Sequence, residues 1–487
     1  MLVADVGGGD RNWASLPVDL IVIVLDMLEA QRDIDACSGV NRHWRSARAG
    51  IHRFRGDMPL PLLLSACRSL QCLAVVNRLR LAPSDVDALR PGVCPDSLDC
   101  LDLSRVRDPD ATFVDAVRSG RITMRLTTLS LARWRLVSDT SFLSSLTALH
   151  TLNLSQTSIR EVDGLTCLRR LRSVDVSSTG VSSVAPLMSC SELEALDISF
   201  TRVDDLSSLQ DHRCLQTIKA CHLVRQAEKP VICPGTLRHL EVCHSRTTAS
   251  ILPDLIRRSA NLEHLSLNGT ATRGIDTLAH LFRLRVLLLE SCRHVLNIDA
   301  VRFFPGLTTL SVAKTGVDRI DALQFCPLLQ RLDISETSVN DVSVLRLHLR
   351  DVLLALDADY TKIGDLDALA NFSRLRHLSA RHTGITSVDV LATCPSLQCV
   401  DIAHTQVRST AALAGLKWLR CLDASSSPVA HASLPRDGSW TNRFSHSGYD
   451  DHVGLLLEHH TQTPEPLLPR PNSGYLQRLR VHCCNIV

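Results

Sequence analysis

A chain of 487 residues with a formal net charge of +2 can bury a large core but offers no global field for nucleic acid or an anionic membrane. Only 4% of its residues are aromatic, few for stacking on bases. No apolar run reaches the roughly 18 residues needed to span a bilayer, and the longest, Leu20 to Leu28, is interrupted by Asp26.

Met1 to Asp10 lacks a basic stretch followed by an apolar one, so no secretory signal is expected there. The 18 cysteines include no Cys-x-x-Cys pair. Several recur at equivalent places, among them Cys190, Cys326 and Cys394, and read as small buried side chains of a reducing compartment. The expected location is cytoplasmic, with nuclear or membrane-associated variants, and not secreted.

The first ordered element is expected at Leu16. Leu16-Pro17 followed by Asp19 reads as a helix start. Leu20, Val24, Leu25 and Leu28 then share one helical face. A second short helix runs from about Asp33 through Cys37 and Val40 to Trp44. The pattern Leu-Pro, acid, leucine stripe, Asp-Ile, Val-x-x-x-Trp-Arg resembles an F-box over about 33 residues. Asn41 stands where the family often has cysteine, and one extra residue separates Leu28 from Asp33. The resemblance implies docking on a Skp-type adaptor and cullin through Leu16, Pro17, Leu20, Val24, Leu25 and Leu28, with Val40 and Trp44 in the supporting core. The other reading is a cap over the exposed first coil of a repeat array.

The dominant signal is an internal repeat. Units beginning at Leu149, Leu171 and Leu193 read LHTLNLSQTSIREVDGLTCLRR, LRSVDVSSTGVSSVAPLMSCSE and LEALDISFTRVDDLSSLQDHRC. Nine of the fourteen intervals between Leu98 and Leu419 are 22 residues, with a further unit suggested at Val76. The LxxLxL portion alternates in a strand period. Leu152, Val174, Leu196, Leu332 and Leu378 point inward, as do Leu154, Val176, Ile198 and Ile334, while Ile159, Val162 and Leu165 close the opposite side. One unit cannot bury such a wedge alone, but stacked units share a core. The pattern resembles the leucine-rich repeats from about residue 76 to 430. It implies an α/β solenoid, a leucine-rich-repeat horseshoe with a parallel concave sheet, preceded by a small helical F-box-like segment. Threonine replaces the family's usual asparagine at Thr157, Thr179, Thr201, Thr270, Thr315, Thr337, Thr361, Thr383 and Thr405. With the arginine-heavy basic composition, this is similar to repeat proteins of trypanosomatid protozoa. Leu223, Ser245 and Cys292 break the rule between Leu215 and Leu284, where a bend or longer loop is expected.

Five segments are expected on this basis. Residues 1–12 form a flexible start, 13–55 the F-box-like segment, and 56–97 a linker with irregular repeats. Residues 98–430 are repeats of about 22 residues each, and 431–487 a carboxyl-terminal cap and flexible tail. An F-box followed by leucine-rich repeats implies the substrate-recognition subunit of an SCF-type ubiquitin ligase. The alternative is a non-catalytic scaffold or regulatory protein, phosphatase-regulatory or cytoskeletal, with the amino-terminal segment as cap.

Outward strand positions carry an acidic column that includes Asp175, Asp197, Glu241, Asp333, Asp357 and Asp401. It could select a basic segment of a protein substrate or be solvated repeat filler. Beside it stand Phe200, His222, His244, Tyr360, His382 and His404, residue types suited to contacts. No HExxH, P-loop, Rossmann fingerprint or GxSxG occurs, and VGGGD precedes no strand–helix unit, so no catalytic residue and no cofactor are expected. A metal site from Cys221, Cys243, His239 and His264 is not expected, because the cysteine and histidine columns lie four strand residues apart, about 13 Å. The last residues, Cys484-Asn485-Ile486-Val487, fit a loose prenylation box. Cys483, Arg478 and Arg480 stand beside it, and terminal Val is outside the usual choices. Cys484 is thus a candidate lipid anchor for membrane association, the other reading being an ordinary tail.

Overall fold

The computed structural model describes residues 53–56, 72–75, 98–104, 112–119, 125–223, 234–244 and 256–429, with positions 89 and 106, and gives only the backbone for 53–56 and 72–75. The chain divides into two compact units, Met1–Asn261 and Leu262–Val487. The boundary falls within the stretch where the sequence breaks its own threonine rule.

The strands form because a leucine or a branched residue alternates with polar ones, the period of a pleated chain. In the first unit they are β1 (Arg53–Gly56), β2 (Cys72–Val75), β3 (Cys100–Asp102), β4 (Thr128–Ser130), β5 (Thr151–Asn153), β6 (Ser173–Asp175), β7 (Ala195–Asp197), β8 (Thr217–Lys219) and β9 (His239–Glu241). In the second they are β10 (His264–Ser266), β11 (Val286–Leu288), β12 (Thr309–Ser311), β13 (Arg331–Asp333), β14 (Ala355–Asp357), β15 (His377–Ser379), β16 (Cys399–Asp401) and β17 (Cys421–Asp423). Within each unit every strand pairs in parallel with the next in sequence. The register aligns Leu129, Leu152, Val174 and Leu196 in one column, and Leu310, Leu332, Leu356 and Leu378 in another. These side chains are buried, as are Leu154, Val176, Ile198 and Ile334 and the opposing Ile159, Val162 and Leu165. Among the described residues the parallel ladder starts at Arg53, before the first leucine-rich unit legible in the sequence. Backbone pairing with β2 defines β1, and Arg53-Phe-Arg-Gly56 carries no repeat signature.

The return side of each coil is built from short 3₁₀ turns such as Asp163–Cys167, Ala185–Ser189 and Asp321–Phe325. A coil of 22 residues leaves few for the return path, and a 3₁₀ turn covers more length per residue than an α-helix. Among the described residues, the α-helical turns α1 (Thr112–Arg118) and α2 (Ser343–His348) lie in coils that are longer in sequence.

The threonine ladder closes the strand-to-return turn. Thr157, Thr179, Thr201, Thr315, Thr337, Thr361, Thr383 and Thr405 each donate to the carbonyl three residues earlier in their own coil, at 2.6–2.7 Å. They are buried, so each bond satisfies a carbonyl that water cannot reach. Cys292 occupies the same slot but bonds differently, its thiol donating to the Leu267 carbonyl of the preceding coil at 3.0 Å. A second inter-coil bond recurs in some of the return turns. The buried thiols of Cys190, Cys326 and Cys394 donate to carbonyls of the preceding coil. Burial pushes Cys190 up to about 11 and Cys326 up to about 12. These thiols are packing elements, as their recurrence suggested.

Candidate protein-interaction surface

Side chains on either side of the inward leucine face away from the core. In the first unit Asp102, Ser130, Asn153, Asp175, Asp197, Lys219 and Glu241 are in register along one column. In the second, the column includes Asp333, Asp357, Ser379, Asp401 and Asp423. The acidic residues stand where the alternation placed them, and they also make a local bond the pattern did not reveal. Asp175, Asp197, Asp333, Asp357, Asp401 and Asp423 each accept the N–H two residues on, at 2.8–3.1 Å. This Asx bond stabilises the bend that ends each strand.

Packing between coils leaves several of these carboxyls scarcely solvated. Asp401 is only 4% exposed and Asp357 only 8%. Burial pushes Asp401 up to about 7, against the lowering effects of the Ala403 N–H and Arg381. Burial, then repulsion from Asp197, pushes Asp175 up to about 6. Burial likewise raises Asp197 and Asp333, and burial with repulsion from Asp333 raises Asp357 well above the carboxylate range. The column is therefore not a fully ionised acidic ladder at neutral pH.

These shifts set a stability profile. The folded chain holds the Asp401 proton up to about pH 7, whereas an unfolded aspartate releases it near pH 4. Stability that is present below the unfolded value should be lost as pH rises through this window, at no more than about 1.4 kcal/mol per pH unit for this group. Asp401→Asn keeps an oxygen for the Ala403 N–H and should flatten that decline in denaturant titrations at pH 5 to 8. An unchanged slope would contradict the assignment.

The second feature of this face is a pair of stacked-ring ladders. In the first unit the rings of Phe200 and His222 are 4.4 Å apart and inclined by 12°, and those of His222 and His244 are 4.6 Å apart. In the second, Tyr360 and His382 are 4.3 Å apart at 11°, and His382 and His404 are 4.1 Å apart at 14°. Neighbouring coils stack about 4.8 Å apart, which is close to the separation of stacked rings, so one ring per coil forms a ladder. All six residues adopt left-handed backbone, with φ between 52° and 60° in the first unit and between 51° and 58° in the second. Histidine tolerates that region better than most side chains. In five of them the N–H donates to the next coil and holds the conformation: Phe200 to Cys221, His222 to Cys243, Tyr360 to Arg381, His382 to Ala403 and His404 to Ser425, at 2.8–3.0 Å. Burial and the neighbouring imidazole hold His222 and His382 below the usual histidine value. Phe200 and Tyr360 remain 40% and 42% exposed.

No protein-family model and no curated protein matches the chain. Solved structures do. A leucine-rich-repeat protein of Leptospira interrogans is similar at 14% identity and a TM-score of 0.58, over 86% of this chain and 97% of that one. An internalin of Listeria monocytogenes is similar at 18% identity and a TM-score of 0.52, over 69% and 89%. The Toll–Spätzle complex of Drosophila is similar at 15% identity and a TM-score of 0.50, over 80% and 55%. The fold is a leucine-rich-repeat solenoid.

In this leucine-rich-repeat fold the left-handed slot recurs in coil after coil, filled by Gln156, Ser178, Lys314, Glu336 and Ser426 as well as by the rings, and by Gly269 in one case. The backbone strain thus belongs to the repeat, and the run of rings is particular to these coils. Of the residues marked in the sequence, Asp175, Asp197, Phe200 and Glu241 share one unit, and Asp333, Asp357, Tyr360 and Asp401 the other. Asp359 and Arg381 complete the second face and were not singled out. Asp359 accepts the Ser379 hydroxyl and the Arg381 N–H at 2.6 and 2.7 Å, and Arg381 reaches Asp401 in the next coil at 3.3 Å. They lie in the turns just after β14 and β15, where the strand alternation gives no direction, and the contact crosses two coils. Cys221 and Cys243 are neighbours, the Cys243 N–H donating to the Cys221 sulfur at 3.4 Å, and the Cys243 thiol and burial push Cys221 upward. His239 approaches Glu241 at 2.8 Å. The adaptor-binding candidates Leu16, Pro17, Leu20, Val24, Leu25, Leu28, Val40 and Trp44 and the lipid candidate Cys484 lie outside the described residues.

Proposed function

We propose that the chain is a non-catalytic binding protein that holds a protein partner against the strand faces of its repeats. The observation that carries this reading is the pair of preorganised, partly exposed ring ladders. Aromatic side chains held rigid lose little entropy on binding, and such residues dominate protein interfaces. The polar groups in register beside them add selectivity through hydrogen bonds as well as charge. One of the similar folds, Drosophila Toll, is seen in a complex with Spätzle, which accords with a binding role.

The finer part of the proposal concerns the amino-terminal stretch. Its Leu16-Pro17, leucine stripe and Val40-x-x-x-Trp44 pattern support docking on a Skp-type adaptor and cullin. The repeats then present a substrate within an SCF-type ubiquitin ligase of the cytoplasm or nucleus. Co-purification of the tagged full chain tests both parts. The native protein should recover adaptor and cullin, and a Leu16→Ala/Pro17→Ala variant should lose them while keeping its strand-face partner. A Tyr360→Ala/Phe200→Ala variant should show the reverse. Absence of the adaptor from both preparations would remove the ligase reading and leave the binding reading to the second variant.

A further inference from the structure

The ring ladder of the second unit ends in a particular way. After Tyr360, His382 and His404 the same slot in the next coil holds Ser426, which is exposed and left-handed like the others. A serine cannot cover an imidazole, so the ladder finishes on the outer face of His404, itself exposed. On the adjoining strand column stands Asp423, half-buried, with one oxygen accepting the Ser425 N–H at 2.8 Å. One coil earlier the chain shows how such an aspartate is matched. Arg381, from the coil before, reaches forward to Asp401. The residue equivalent to Arg381 in the next coil is Ala403, so this position supplies no cation to Asp423.

We propose that an arginine of the bound partner docks at this end of the ladder, its guanidinium lying on the open face of His404 and pairing with Asp423. This deepens the reading that the strand face binds protein and rests on it. The arrangement favours arginine over lysine for two reasons. A guanidinium is planar and stacks on a ring at the spacing the ladder already uses, and it presents a fork of donors to a carboxylate. A lysine ammonium offers the same charge without the plane. The added ligand arginine repeats, one coil on, the Arg381–Asp401 pairing that the chain makes for itself.

The test uses the full-length chain with two labelled peptides of equal length and charge, one alternating glycine with arginine and one alternating glycine with lysine, at pH 7.5. Fluorescence anisotropy should show the arginine peptide binding roughly tenfold more tightly, the size of effect expected from a stacked cation paired with a carboxylate. Ser426→Tyr should place a ring over His404, as Tyr360 does for His382, and abolish that preference without loss of fold. Asp423→Asn should weaken the arginine peptide by a similar factor. Equal affinity for the two peptides, full affinity in Ser426→Tyr, or no binding of the arginine peptide would each overturn the proposal. The Tyr360→Ala/Phe200→Ala co-purification would report on the broader reading independently.

Discussion

Gly164→Val should destabilise the first unit by about 3 kcal/mol, the upper end of what overpacking costs. Gly164 lies in the return turn Asp163–Cys167, whose backbone passes directly against the previous coil. A Cβ at this position would fall on the carbonyl group of Thr140 and close to the Ser141 nitrogen. Both are backbone atoms, so no rotamer change relieves the overlap. The same approach lets the Gly164 N–H donate to the buried Thr140 hydroxyl at 3.1 Å, a bond that separation of the coils would break. Equilibrium unfolding in denaturant measures the loss, and hydrogen exchange should place it in the coils around Thr140 and Gly164. Gly415→Val provides the comparison. It occupies a return turn in the second unit where an added Cβ meets nothing within 4 Å, and the penalty there should be far smaller. Equal penalties at the two glycines would contradict this account.

Trp134→Ala should cost about 3–5 kcal/mol, the range for truncating a large buried aromatic side chain. Trp134 is among the largest fully buried side chains among the described residues. Its ring meets Phe113 of α1 edge-to-face, with centroids 5.8 Å apart and planes at 80°. Its indole N–H donates to the Leu103 carbonyl at 3.0 Å, tying the coil of β4 to that of β3. Alanine would open a cavity and remove one of that carbonyl's two donors, the Val106 N–H being the other. Trp134→Phe separates the two contributions: it retains much of the ring volume and loses the bond, so its cost should be nearer 1–3 kcal/mol. Thermal unfolding of the three proteins would order them native, Trp134→Phe, Trp134→Ala. A Trp134→Phe variant as unstable as Trp134→Ala would assign the whole effect to the hydrogen bond.

The repeat itself was legible because its cause is local. A pleated strand sends alternate residues to opposite faces, so Leu152, Val174 and Leu196 could be assigned to the core from spacing alone. The threonine slot was equally plain from its recurrence. Its partner was not: the hydroxyls bond a carbonyl three residues back, whereas Cys292 in the same slot reaches the Leu267 carbonyl of the preceding coil. At the first described strand the signal failed. Strand β1 at Arg53–Gly56 has no leucine signature and is defined by its neighbour.

The strand face shows the same division more sharply. Sequence by itself determined that Asp401 points away from the core, because the direction of a side chain follows from the pleat of its own strand. It did not determine that Asp401 is nearly inaccessible, that its carboxyl is pushed up to about 7, or that Tyr360, His382 and His404 form one stack. Those properties depend on the distance and register between coils separated by more than twenty residues. Only the tertiary structure decided them. Desolvation and ring stacking are set by what an adjacent coil places within a few ångströms, and a single coil's sequence does not contain that neighbour.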